Sequence, residues 1–122
     1  DFGVIFGVRD LATQERLYKS GKSQTMKSKH LIQDDGYAHA VDLMAYDSGE
    51  PSWDIVDYDN IADAMRKAAQ EVGIELIWGA AWHKMLTVSP DTAENLMNEY
   101  IDLRRSEGRR PFIDGPHFQL AT

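Results

Sequence analysis

No cysteine occurs anywhere in the 122 residues. That absence removes disulfides, thiolate metal sites and cysteine nucleophiles together, and it leaves imidazole and carboxylate as the strong metal ligands. Basic charge is also short, since 13 Lys and Arg face 20 Asp and Glu for a net charge of −7. Nucleic acids are bound by neutralising phosphates, so none is the expected partner. No apolar run approaches the roughly 20 residues that span a bilayer. No signal peptide is recognisable either. The opening at Asp1, already inside a strand-like stretch, suggests a natural start further upstream. Repeats, low-complexity tracts and internal linkers are missing, which points to a single domain over residues 1–122. A Gly-x-Ser-x-Gly elbow is missing too, and the serines near histidines stand in polar stretches, which disfavours a serine nucleophile.

What is present alternates between strand-like and helix-like segments. Residues 2–8 (FGVIFGV) are β-branched and aromatic and read as a buried strand. Asp10 can cap a helix running to about Ser20, with Gly21 as its stop. Arg9 lies at that junction and Gln14 one turn inside; composition alone would place both on a solvated surface. Residues 31–38 carry Asp34-Asp35-Gly36, a turn signal. Residues 40–46 read as a strand that is apolar except for Asp42, and 47–58 as an acidic loop.

A helix is expected from Asp59, with Ile61, Ala64, Met65, Ala68 and Val72 at helical spacing and Gly73 as its end. A strand over 74–78 and a small-residue corner at 79–82 follow. Ser89-Pro90-Asp91 reads as the start of a last helix, with Ala93, Leu96, Met97, Tyr100 and Ile101 on one face and Gly108 as its stop. Arg104, Arg105, Arg109 and Arg110 collect at its C-terminal end, where positive charge complements the helix dipole. Residues 117–120 form a closing strand. Without strict βαβ alternation the class is α+β, a small, mainly antiparallel sheet with flanking helices.

Three short stretches carry the chemistry: Ser28-Lys29-His30, His39-Ala40-Val41-Asp42 and Asp114-Gly115-Pro116-His117. A charge inside an apolar strand is costly unless it is paired or binds a metal, which makes Asp42 the most informative residue. His30, Asp42 and His117 make a plausible three-ligand set for a catalytic zinc in a cleft on the sheet, with the fourth position left to water. Asp114, three residues before the last histidine, could take the proton that such a water loses. His39 and His83 are read as ordinary imidazoles, because three steps along a strand put His39 and Asp42 on opposite faces. A purely structural zinc site stays open, though such sites usually close with four protein ligands.

Ser28-x-His30, Ala40-x-Asp42, Trp78-Gly79 with Trp82, and Asp114-Gly115-Pro116-His117-Phe118-Gln119-Leu120 resemble the metallopeptidases of the VanY and phage endolysin type. The resemblance covers nearly the whole chain and implies zinc bound by His30, Asp42 and His117, with Asp114 as catalytic base. Arg9 and Gln14 match an early arginine and glutamine of the family, which implies a grip on a substrate carboxylate or carbonyl. Ser28 would support that site by hydrogen bonding. Trp78 and Trp82 are expected in the core or along the cleft wall.

The chain departs from the family pattern Ser-x-His-x-x-Gly-x-Ala-x-Asp. Here Asp42 stands twelve residues beyond His30, the extra length lies in 31–38, and Ala38 occupies the glycine position. Ala81 replaces an aspartate common in endolysins, and a long insertion over about 83–113 precedes His117. That insertion could form a lid or an added cleft wall, or pack on the back of the domain. The resemblance implies a monomeric zinc peptidase acting on peptidoglycan stems at the bacterial cell wall, outside the cytoplasm, most simply as an L-alanyl-D-glutamate endopeptidase. The alternatives are a D-alanyl-D-alanine carboxypeptidase or dipeptidase, and a non-catalytic cell-wall binding module.

Overall fold

A computed structural model describes residues 1–23, 27–88 and 91–121. In chain order its elements are β1 (Phe2–Phe6), α1 (Leu11–Lys19), β2 (Ala40–Asp47), β3 (Glu50–Ser52), α2 (Ile55–Val72), β4 (Leu76–Trp78), α3 (Ala93–Ser106) and β5 (His117–Leu120). The strands form one antiparallel sheet in the order β1-β2-β5-β4, and β3 adds to β2 through a tight hairpin. Ser48 and Gly49 take φ of 53° and 82° there, the positive pair that a two-residue hairpin turn demands. The class is α+β, as the sequence leads one to expect.

Strand alternation sorts the sheet into two faces. Val41, Leu43 and Ala45 of β2 point to one side, joined by Phe118 of β5 and Trp78 of β4, and α2 and α3 close over them with Tyr58, Ile61, Ala62, Leu96 and Met97. Trp78 is fully buried, and its indole N–H donates to the Gly115 carbonyl at 2.8 Å. The opposite face carries Asp42, His117 and Gln119, so one side of each strand builds the core and the other builds a site.

Caps fix the helix ends. Asp10 accepts from the Thr13 N–H and starts α1, as expected. Gly73 ends α2 in the left-handed region, φ 76°. The start of α2 is a correction: Asp54 caps it through the Val56 N–H, so the helix begins at Ile55 rather than Asp59, and 50–52 is strand rather than loop. Local polarity there reads as loop, but pairing with β2 overrides it. The last helix starts at Ala93, capped by the Thr92 hydroxyl on the Asn95 N–H. The expected cap Ser89 and the residue Pro90 lie outside the described residues.

The first strand is also corrected. Phe2, Val4, Phe6 and Val8 are 51, 64, 54 and 70% exposed, because β1 pairs only with β2 and forms the sheet's edge. An apolar run alone cannot tell a buried strand from an edge strand. Among the described residues no helix is long and apolar enough to cross a membrane.

Candidate metal centre

The pairing of β2 with β5 sets Asp42 directly opposite His117, both on the face away from the core. Asp42 Oδ1 lies 3.1 Å from His117 Nδ1 and 3.2 Å from His30 Nε2. One ligand atom from each of the three residues falls within 4.8 Å of the others. His30 comes from a loop, so its placement needs other restraints. The Ser28 hydroxyl accepts its backbone N–H at 3.1 Å, its carbonyl accepts the Arg9 N–H at 2.8 Å, and its ring Nδ1 donates to the Gly7 carbonyl at 2.9 Å. The ring is nearly inaccessible to solvent and sits edge-on to that of His117, centroids 5.1 Å apart.

These contacts decide which ring nitrogens face inward. A backbone carbonyl only accepts, so His30 carries its proton on Nδ1 and turns the Nε2 lone pair toward Asp42. His117 Nε2 stands 2.9 Å from Gln119 Oε1, which leaves its Nδ1 lone pair facing the same carboxylate. Two lone pairs and a carboxylate converging at this range repel one another unless a cation or extra protons lie among them. Metal-binding histidines usually give their outer N–H to an oxygen acceptor in this way. The group therefore fits a metal ion, and its N₂O donor set suits zinc.

Charges reinforce the arrangement. Burial raises the Asp42 pKa, but hydrogen bonds and charge from His117 and His30 outweigh it and hold the carboxyl far below its ordinary range. Burial disfavours the His117 cation, yet the bonds to Asp42 and Gln119 and the charges of Asp42 and Asp114 raise its pKa overall. Asp114 is pushed up by burial and by the neighbouring Asp42 charge, only partly offset by His117, His30 and Arg9. A carboxyl so poised is suited to exchanging a proton.

Asp114 and His117 are clamped against β4 by backbone bonds. The Asp114 N–H donates to the Gly79 carbonyl at 2.8 Å, the Gly79 N–H to the His117 carbonyl at 2.8 Å, and the His117 N–H to the Asp114 carbonyl at 3.1 Å. A Cβ on Gly79 would stand 2.2 Å from the Asp114 carbonyl oxygen and 2.9 Å from His117 Cβ. Only glycine allows this approach.

The centre opens into a cleft of about 540 Å³ whose walls include Phe6, Arg9, Ser28, Trp82, Phe112 and Asp114. Gln14 is fully buried; its carbonyl accepts from Arg9 Nη1 at 2.7 Å and its amide donates to the Ser23 hydroxyl at 2.8 Å. Arg9 thus reaches the cleft with Nη2 3.9 Å from Asp42 Oδ2, while Gln14 stands behind it. Trp82 lines the wall, its ring 5.3 Å from that of His117. His39 and His83 turn elsewhere, to Asp35 at 2.6 Å and Glu99 at 3.0 Å.

Residues 1–121 match the family model described as phage L-alanyl-D-glutamate peptidase. The chain belongs to that family. Among similar members of known sequence is the L-alanyl-D-glutamate peptidase of Escherichia phage T5, 29% identical over 98% of this chain and 75% of that protein. The L-Ala D-Glu endopeptidase ChiX of Serratia marcescens has a similar solved structure, with a TM-score of 0.66 and 34% identity. That match covers 98% of this chain and 66% of ChiX, so the chain spans about two thirds of its length.

Sequence patterns contain Gln119 and Gly79 but assign no role to them or to the Gly7 carbonyl. Gln119 could have been found, because a residue two steps from a ligand on a strand shares its face. The other two act through backbone atoms, which side-chain identity does not reveal. Residues 31–38 form a turn closed by an Ile32–Ala38 bridge and do not line the described cleft. In the 83–113 segment, α3 packs on α2 with Ala93 and Leu96 fully buried, while Phe112 supplies cleft wall.

Proposed function

We propose that this chain hydrolyses the bond between L-alanine and D-glutamate in peptidoglycan stem peptides, with zinc held by His30, Asp42 and His117. The observation that carries the reading is the convergence of those three residues beside the half-buried carboxyl of Asp114, in an open cleft. Bound there, zinc would polarise the scissile carbonyl and lower the pKa of water from about 15.7 toward 7.

Asp114 then serves as the general base, accepting the proton of the attacking water and returning it to the leaving D-glutamyl nitrogen. Its pKa, raised by burial and by the Asp42 charge, strengthens it as the acceptor of that proton. Arg9 presents its guanidinium to a substrate carboxylate or carbonyl, held in position by Gln14. Ser28 orients His30 through the backbone rather than through a substrate contact. The stacked Trp82 and Phe112 rings form an aromatic wall of the cleft against which substrate can pack. The reading places the working site at the bacterial cell wall and needs one copy of the chain.

Zinc-loaded protein incubated with purified stem peptides, followed by mass spectrometry, tests the bond assignment. A new N-terminal D-glutamate supports it. Release of free D-alanine would transfer the protein to carboxypeptidase chemistry, and intact stems would leave a binding role.

A further inference from the structure

A second groove, of about 520 Å³, lies on the far side of the Trp82–Phe112 wall. These two side chains line both cavities, and their rings stack with centroids 6.2 Å apart. The groove therefore begins one ring's thickness from the catalytic cleft. Its floor is layered: the His83 ring stacks on Tyr100 at 5.8 Å, and the Arg104 guanidinium lies over the same Tyr100 at 5.8 Å. Arg104 is held further by Nε and Nη2, both donating to the Arg110 carbonyl at 3.3 and 3.2 Å. Its Nη1 has no partner among the described residues. Arg109 lies alongside, 60% exposed and 4.0 Å from Glu107, whose carboxylate also lines the groove; so loose and exposed a pair holds the guanidinium only weakly.

The wider protein carries a charge of −7, so two guanidiniums beside an aromatic floor stand out as a local anion-binding feature. Arg104 is already oriented by Tyr100 and by a carbonyl, so little rotamer freedom remains to be lost on binding. A helix C-terminus accounts for arginine near the end of α3, but it does not account for a groove that shares the Trp82 and Phe112 side chains with the cleft.

We propose that this groove receives the carboxylate-bearing residues of the stem peptide beyond the scissile bond, Arg104 and Arg109 pairing with a carboxylate. The inference rests on the peptidase reading above. It makes the 83–113 segment a specificity element that selects extended, anionic stems.

The test compares two stem peptides extended past D-glutamate, identical except that one ends in a free carboxylate and the other in an amide. The zinc-loaded wild type should show a KM about tenfold lower for the carboxylate form with similar kcat, the effect of one charge-assisted pair. In Arg109→Gln and in Arg104→Gln/Arg109→Gln that preference should shrink to near unity while the amide form is cleaved as before. The single variant guards against a fold effect of losing the Arg104–Arg110 contact. Equal KM values in the wild type, or a preference that survives in both variants, would overturn the proposal. If the wild type cleaves neither peptide, the peptidase reading fails. The groove is then judged by titrating the two peptides against the Trp82 indole N–H resonance. Tighter binding of the carboxylate form, lost in Arg109→Gln, upholds it, and equal binding rejects it.

Discussion

Asp42 and His117 are 75 residues apart in sequence yet face each other directly across β2 and β5, with Oδ1 and Nδ1 3.1 Å apart. Sheet pairing, not loop placement, therefore fixes two of the three residues that could hold a metal ion. A slip of one residue in that register would send either side chain to the core face. The third of them, His30, lies on a loop and is held by Gly7, Ser28 and Arg9 instead. The site is as rigid as the sheet on one side and depends on a handful of hydrogen bonds on the other.

Gly79→Ala tests the backbone clamp. The added Cβ meets a carbonyl oxygen at 2.2 Å, so β4 and the 114–117 loop must move apart. Destabilisation of about 1–3 kcal/mol is expected from such overpacking. A displacement of about 1 Å at Asp114 and His117 should lower kcat by roughly a hundredfold. Thermal unfolding and single-substrate kinetics would measure the two effects separately.

Gln119→Ala removes the acceptor that fixes the His117 tautomer. Zinc affinity should fall by about 10–100-fold, with the fold unchanged. Competition against a chelator of known affinity reads this directly, and unchanged affinity would show that Gln119 does not govern the ring.

Asp59 offers a pH-dependent stability test remote from the metal centre. Burial, with the charges of Glu94, Asp63 and Asp54, pushes its pKa up to about 6, and its Oδ1 is buried without a partner among the described residues. A carboxyl whose folded pKa exceeds its unfolded value of about 3.9 destabilises the fold once ionised. The penalty is absent below about pH 4, grows between pH 4 and 6, and is complete above 6. Asp59→Asn should therefore raise Tm at pH 8 and leave it nearly unchanged at pH 4. Equal shifts at both pH values would refute the electrostatic cause.

Metal loading should fall with acid. An imidazole binds a metal only when neutral, so zinc content measured after dialysis should decline as the medium is acidified. Full occupancy retained at pH 4 would argue against histidine ligation.

Much of the site was legible because its signals are local. A lone aspartate in an apolar strand, and histidines with flanking motif residues, survive as patterns in the sequence. The α+β class followed from periodicity, and the Asp10 and Gly73 ends followed from capping chemistry. Tertiary context decided the rest. Composition places Gln14 on the surface, yet it is fully buried because Arg9 and Ser23 satisfy its amide. The exposure of β1 depends on its having one neighbour, and the strand at 50–52 depends on its pairing with β2, facts that no window of residues contains.

The most direct measurement pairs zinc content with cleavage of an L-alanyl-D-glutamate stem by the wild type and by Asp114→Asn. One zinc per chain is expected in both proteins, with kcat lowered by about 10²–10⁴-fold in the variant, the usual contribution of a general base. Loss of zinc in the variant would make Asp114 a ligand rather than the base. Undiminished cleavage with zinc retained would contradict its catalytic role outright.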